Sequence, residues 1–309
     1  MRPAIYIPNF NGAARLGPVL RGLAAQTRPV DVVLVDNGSS DDSVALARRE
    51  LPEIELVELG ANLGFGRAIN HAVAERPGDP VILLNNDAVP GQRFVEALLD
   101  GLGEGVDSVA GVLVQERAST LIDSAGVVAD MTLMGFDYLH GEPLTAVAAA
   151  ADPLGPTGGA ALYRRAAFEA VGGFDERIFL YYEDLDLALR MAAVGGRCRL
   201  AHEARAVHAY SASLGAASAG KYAHTGWSRG YMLRRYGVMR SPRPALRALA
   251  CEAAICAGQM LADRTAAGLS GRLRGWRAGG GPERRDAGHV ELLDISLRKA
   301  LALRRRRRG

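Results

Sequence analysis

A chain of 309 residues, 49% hydrophobic and 23% charged, has enough apolar surface for a globular core, which excludes a disordered chain and suggests one large domain with an appendage. The net charge of +3 conceals an asymmetry: residues 241–309 hold 15 Lys+Arg against 6 Asp+Glu, a net +9, while the remainder holds 22 against 28, a net −6. An acidic body argues against a nucleic-acid-binding role, and Cys198, Cys251 and Cys256 form neither a disulfide framework nor a Cys-x-x-Cys zinc motif, the usage of a reducing compartment.

The chain enters a strand pattern at residues 4–7 with no long apolar leader or cleavage site, so no signal peptide is expected. Helix and strand patterns then alternate: helices over 16–25, 43–50 and 67–75, strands over 32–35, 54–59 and 81–84. Such a series requires parallel strands joined by right-handed crossovers, a doubly wound half in roughly the first hundred residues. A further helix is expected over 90–99, opened by Pro90-Gly91. A strand follows at 109–114, and 121–140 mixes glycine, β-branched and aromatic residues as antiparallel hairpins or an irregular loop would. Gly155-Pro156-Thr157-Gly158-Gly159 reads as a mobile loop leading into a strand at 160–163 and a short helix at 165–171, stopped by Gly172-Gly173.

Beyond a helix opened by Glu183 and a short strand before His208, residues 222–236 form an amphipathic helix with Trp227, Tyr231 and Met232 on or near its apolar side. Another covers 245–262. Arg247 and Glu252 interrupt it, which favours a packing or interfacial helix over a membrane span. A linker at Gly279-Gly280-Gly281-Pro282 precedes a last short helix and the run Arg304 to Arg308, which suits anionic lipid headgroups, nucleic acid or a solvated tail. The expected division is a domain over 1–236 and a helical, basic extension over 237–309.

Four polar clusters and one glycine-bearing helix mouth carry the chemistry. Asp36 ends the apolar run Val32-Val33-Leu34-Val35, where its carboxylate can accept from a base N–H or a ribose hydroxyl, or simply stabilise the turn at Asn37-Gly38. Asn62 to Ala68 places Gly64 and Gly66 at a helix mouth, where backbone N–H groups favour anions, yet the spacing matches neither the dinucleotide fingerprint nor the P-loop. A dehydrogenase and an ordinary NTPase are thereby disfavoured. Asn85-Asn86-Asp87 ends four apolar residues, a costly place for polar groups unless something pairs with them. Asp87 can coordinate a hard divalent cation that bridges phosphates, with Asn85 in support; the alternative is a cap on the Pro90 helix. Glu183 and Asp184 open a helix, whose dipole welcomes acids, beside Tyr181 and Tyr182. Asp184 is the candidate general base, while Asp186 and Arg190 form an i,i+4 pair. His208, ahead of Tyr210-Ser211-Ala212-Ser213, can complete a metal site with Asp87 as a neutral imidazole.

In order, Pro8-Asn9-Phe10-Asn11-Gly12, Val35-Asp36-Asn37-Gly38-Ser39-Ser40-Asp41, Asn62-Leu63-Gly64-Phe65-Gly66-Arg67-Ala68-Ile69-Asn70, Leu84-Asn85-Asn86-Asp87, Gly158-Gly159, Tyr182-Glu183-Asp184-Leu185-Asp186 and His208 resemble glycosyltransferase family 2, particularly its bacterial rhamnosyltransferase-like members, over about residues 3–236. The resemblance implies an α/β GT-A fold, a doubly wound, mostly parallel Rossmann-like sheet, with a helical C-terminal extension. It implies a metal-dependent, inverting transfer of a sugar from a nucleotide-sugar, best taken as dTDP-rhamnose, to a glycan or lipid-linked acceptor in cell-wall or polysaccharide synthesis. The setting would be the cytoplasm, at the inner face of the membrane, with a peripheral membrane contact through the basic C-terminus and no nucleic-acid partner. By the same resemblance Asp36 reads the base, and Pro8, Asn9, Asn62, Gly64, Arg67, Asn85 and Asn86 lie along the nucleotide. Asp87 and His208 ligate Mg²⁺ or Mn²⁺, Asp184 is the catalytic base, and Gly158, Gly159 and Glu183 contact the sugar or acceptor. The family's Asp-x-Asp stands here as Asn85-Asn86-Asp87, without the first carboxylate. Two other readings are a nucleotidyltransferase, although Pro8 to Gly12 contains no lysine or arginine for a phosphate loop, and an inactive glycosyltransferase-like binding module.

Overall fold

Strand β1 (Ala4–Asn9) sends Ile5 and Ile7 into one face of a sheet and Ala4 and Tyr6 into the other, as the two-residue period of a strand requires. β2 (Asp31–Asp36) and β4 (Val81–Leu84) repeat the pattern, so both faces are buried and the strands read as unbroken apolar runs. Helices α1 (Ala13–Ala24), α2 (Ser43–Glu50) and α4 (Phe94–Gly101) cover the face carrying Ile5, Ile7, Leu34 and Leu84. On the opposite face α3 (Phe65–Glu75), α5 (Arg165–Ala170) and α6 (Glu183–Ala193) enclose Tyr6, Val33, Val35 and Leu83.

The computed structural model describes residues 2–209, 218–281 and 284–287, and beyond them 292, 293, 295, 296, 298, 300, 301 and 303. Tyr210 to Ser213, Pro282 and the run Arg304 to Arg308 lie outside the described residues, as does most of the last expected helix.

The main sheet runs β3 (Glu55–Glu58), β2, β1, β4, β10 (Ala160–Tyr163), β6 (Ser108–Gln115), β11 (Cys198–His208), β5 (Ala88–Pro90), with β7 (Ala118–Ser124) also on β6. β3, β2, β1 and β4 are parallel, β10 lies antiparallel between β4 and β6, and β11 is again parallel to β6. A separate hairpin joins β8 (Val127–Ala129) to β9 (Gly135–Asp137), answering the expectation for 121–140.

Two expectations are corrected. Pro90 does not open a helix: it closes β5, which pairs antiparallel with β11, and α4 starts only at Phe94. His208 does not follow a short strand but ends an eleven-residue one, whose register shifts between Leu200 and Arg205. Both differences come from long-range pairings of β11, antiparallel with β5 at Ala206–His208 and parallel with β6 along its length, which no local pattern announces.

The C-terminal third is helical: α7 (Ala219–Arg235), a 3₁₀ turn at Val238–Arg240, α8 (Pro242–Ala262) and α9 (Ala267–Ala278). α9 returns onto α7 through glycines, and a Cβ on Gly230 or Gly275 would overlap the carbonyl of Arg272 or Trp227. Arg229 of α7, 1% exposed, donates to Glu252 of α8 at 2.5 Å, to the Leu133 carbonyl at 2.8 Å and to Thr132 at 3.1 Å. Glu252 also accepts from Arg272 of α9 at 2.6 Å, so one buried cluster ties three helices to the β8–β9 turn.

Candidate active site

The carboxyl ends of β1, β2 and β4 meet at one edge of the sheet, where open α/β folds bind ligands. Asn9, 1% exposed, joins them: its amide donates to Asp36 at 3.1 Å, Ser39 at 3.1 Å and Ser43 at 2.9 Å, and its carbonyl accepts from Asn86 at 2.8 Å. Asn37 fixes the next loop, accepting from the Leu63 N–H at 2.7 Å and donating to Asn62 and the Gly64 carbonyl, both at 3.1 Å. Gly64 itself has φ +86°, a left-handed backbone that suits glycine, and any Cβ there would strike the Phe179 carbonyl.

Beyond β4, the pairing of β5 with β11 sets His208 opposite Ala88 and therefore beside Asp87. The His208 Nε2 lies 3.2 Å from Asp87 Oδ1, and its Nδ1 lies 2.6 Å from Oδ2 of Asp123 at the end of β7. Burial works against charge on His208, but the hydrogen bonds to Asp123 and then Asp87 outweigh it and hold its pKa up at about 9. Asp123 is also buried, and hydrogen bonds from His140 and His208 overcome that penalty and keep its carboxyl well below the usual range.

Opposite, α6 begins from a strained backbone. Tyr181 and Tyr182 have φ of +67° and +73°, a left-handed pair of bulky residues of the kind that clusters at functional sites. This turn presents Glu183 and Asp184 to the interior. Asp184 accepts from the Leu185 N–H at 2.7 Å and lies 3.5 Å from both Thr157 Oγ1 and the Gly158 N–H. Burial raises its pKa, against the lowering effect of the backbone donors. Glu183 is pushed up to about 8 by burial and then by the neighbouring Asp184, and its Oε2 has no hydrogen-bond partner among the described residues.

A cavity of about 1170 Å³ gathers these groups. Pro8, Asn9, Asn62, Gly64, Asn85, Asn86, Asp87, Gly158, Gly159, Glu183, Asp184 and His208 all line it. Two expected site residues do not. Asp36 sits beneath the floor, 5% exposed, taken up by Asn9 and the Ser39 N–H at 3.1 Å each. Arg67 is exposed and lies 3.6 Å from Glu176. Gly158 and Gly159 have a local packing reason for being small, since Cβ atoms there would come within 2.8 Å of the Phe65 ring and 2.9 Å of the Asn85 amide.

Sequence reasoning missed Asp123, which has no local signature because β7 reaches His208 only through β6. It also missed the second wall, where Phe136 of β9 and Ala254, Ile255, Gly258 and Ala262 of α8 form an apolar side, with Lys221 and Arg272 nearby on the lining.

The family model for glycosyl transferase family 2 matches residues 4–172, more than half of the chain and the whole βαβ series with Asp87. The chain belongs to glycosyl transferase family 2. It is 33% identical over 216 residues to the N-acetylglucosaminyl-diphospho-decaprenol L-rhamnosyltransferase of Mycobacterium tuberculosis, spanning 62% of this chain and 70% of that protein. It is also 29% identical over 201 residues to the succinoglycan biosynthesis protein ExoA of Rhizobium meliloti, spanning 62% and 58%. Among solved structures, the mannosyltransferase PcManGT from Pyrobaculum calidifontis, in complex with GDP-Man and Mn²⁺, superposes with a TM-score of 0.55 at 20% identity over 91% of this chain and 76% of that one. The S. aureus TarS 1-349 structure in complex with UDP-GlcNAc superposes with a TM-score of 0.51 at 14% identity, over 85% and 73%. The fold is GT-A, a curled, mostly parallel sheet between helices, with a helical C-terminal region.

Proposed function

We propose that this family 2 member is an active inverting glycosyltransferase, taking L-rhamnose from dTDP-rhamnose to a lipid-linked or cell-wall glycan acceptor at the cytoplasmic face of the membrane. The transferase domain would cover 1–236, with the basic extension over 237–309 completing the acceptor side. The observation that carries the reading is that Asp87 of the β4–β5 turn, His208 of β11 and Asp184 of α6 line one cavity. The rhamnose assignment draws on the M. tuberculosis relative.

A divalent cation fits the donor set. One carboxylate oxygen and one imidazole nitrogen stand 3.2 Å apart, and the Asp123 bond to Nδ1 leaves Nε2 directed at Asp87, as in a carboxylate–histidine–metal arrangement. Among the described residues no group of three or more His, Cys, Asp or Glu is suited to a metal. Asp87 and His208 would therefore hold Mg²⁺ or Mn²⁺ together with the donor's phosphate oxygens and water, a sharing usual for Mg²⁺ at phosphate sites. Bound there, the ion would offset charge gathering on the leaving diphosphate.

The chain's own groups account for the remainder. Asn9 and Asn37 hold the loops along which the nucleotide would lie, with Pro8, Asn62, Gly64, Asn85 and Asn86 lining its path. Asp184 would take the proton of the attacking acceptor hydroxyl. A raised pKa makes it a stronger base while the Leu185 N–H keeps its carboxylate oriented. Glu183, with Gly158 and Gly159, would contact the sugar or acceptor from the cavity lining. Attack from the Asp184 side, opposite the leaving diphosphate, inverts the sugar carbon in one displacement.

Asp184→Asn tests the reading. Transfer to an acceptor should fall by about 10²–10⁴-fold while donor affinity stays within a fewfold. Turnover retained in this variant removes Asp184 from the base role, and an inactive binding module would show no transfer even in the wild type.

A further inference from the structure

The transfer chemistry leaves the outward face of α8 unused. Beyond Arg243 in its first turn, its charged groups face inward: Glu252 is held by Arg229 and Arg272, and Arg247 reaches Asp130 at 3.1 Å. Its outward residues are apolar instead, with Leu246 73%, Leu249 57% and Leu261 83% exposed, and Met260 also exposed. At 246, 249, 253 and 260 the spacing is that of one helical stripe, with Ala253 between the leucines and Met260. This inverts the pattern of a surface helix in water. α9 adds exposed Leu269, Leu273 and Trp276 at positions i, i+4 and i+7, because its glycine face is spent on α7.

Charge selects the occupant. Between residues 241 and 281 the exposed charged side chains are Arg243, Arg264, Arg274 and Arg277, while the acids, Glu252 and Asp263, are turned inward or half-buried. An apolar stripe flanked by arginines, with Trp276 at its edge, matches the interface of an anionic bilayer. A second copy of this chain would bring the same positive charge to the contact and be repelled. α8 also forms one wall of the cavity through Ala254 and Ala262, so the stripe borders the acceptor side of the site.

We propose that the outward face of α8, extended by α9, is a peripheral docking surface for anionic lipid bilayers, lying in the headgroup region rather than crossing it. The full width of α8 is 21 residues, long and apolar enough by composition to span, but its buried Glu252 and Arg247 pairs fix its inner face to the protein. The inference goes beyond the transferase reading and does not depend on its donor or acceptor.

Flotation of the full chain with phosphatidylglycerol–phosphatidylcholine vesicles tests it, with pure phosphatidylcholine vesicles and size-exclusion chromatography alongside. The wild type should float with the anionic vesicles. The triple variant Leu246→Ser, Leu249→Ser, Leu261→Ser, and separately the variant with Arg243, Arg264, Arg274 and Arg277 changed to Gln, should partition about tenfold less. Both should keep nucleoside-diphosphate binding, which shows that they are folded and reports on the transferase reading independently. The proposal is overturned if the wild type stays unbound, if the leucine variant floats as well as the wild type, or if replacing Arg304 to Arg308 alone abolishes binding. It is equally overturned if the wild type forms a dimer that the leucine variant loses.

Discussion

At the scale of single residues, the site is a set of side chains that would be unfavourable elsewhere. Glu183 is the clearest case, a buried carboxyl beside another carboxylate with one oxygen unpartnered. Its folded pKa of about 8 exceeds the unfolded value of about 4.3. Between these values the unfolded chain loses the proton and the folded chain keeps it, so the unfolded state is favoured increasingly as pH rises. Wild-type melting temperature should therefore fall relative to Glu183→Gln as pH climbs from about 4.5 to about 8, then level off. Thermal melts of the two proteins across that range check this, and parallel curves would contradict it. Asp123 acts in the opposite sense, its charge favoured by two histidines, and its place is set by strand pairing rather than by any local sequence feature.

Among the elements, α7, α8 and α9 are joined by polar and glycine contacts as well as by the apolar cluster of Tyr231, Met232, Leu233 and Ala248. Arg229 is buried with Glu252 as its ionic partner, so Glu252→Ala leaves a guanidinium stranded out of water. The expected cost is about 3–5 kcal/mol in urea unfolding, far more than for Glu96→Ala, which breaks the solvent-screened pair with Arg93. Equal losses in the two variants would show that the buried cluster is not what holds the helices. The same cluster shows why α8 carries charges within an apolar pattern. Arg247 and Glu252 look like interruptions of an apolar face, whereas they belong to the inner face and the apolar residues to the outer one.

For the whole molecule, the doubly wound half was legible because each strand is an apolar run ending in a polar turn, with the following helix punctuated by Gly or Asn. Residues 43–50, 81–84 and 160–163 form elements with the expected bounds. The positions of Asp87 and Asp184 on one cavity followed from that topology and from the resemblance. What remained hidden depends on pairing across long separations: β5 with β11, which places His208, β7 with β6, which places Asp123, and the meeting of β9 with α8 across the cavity, which builds the far wall. These contacts have no local period for a sequence to display. Together they make a two-walled cleft, polar toward the sheet and apolar toward the helices.

The central claim is that Asp87 and His208 hold a divalent cation jointly with a nucleoside diphosphate. Calorimetric titration of dTDP, UDP and GDP into the wild type, Asp87→Ala and His208→Ala, each with Mn²⁺ and with chelator, tests it most directly. At least one diphosphate should bind the wild type about tenfold or more tightly with Mn²⁺ than in chelator, and both substitutions should remove that gain. Equal affinity in chelator, or a Mn²⁺ gain that survives both substitutions, would contradict the account.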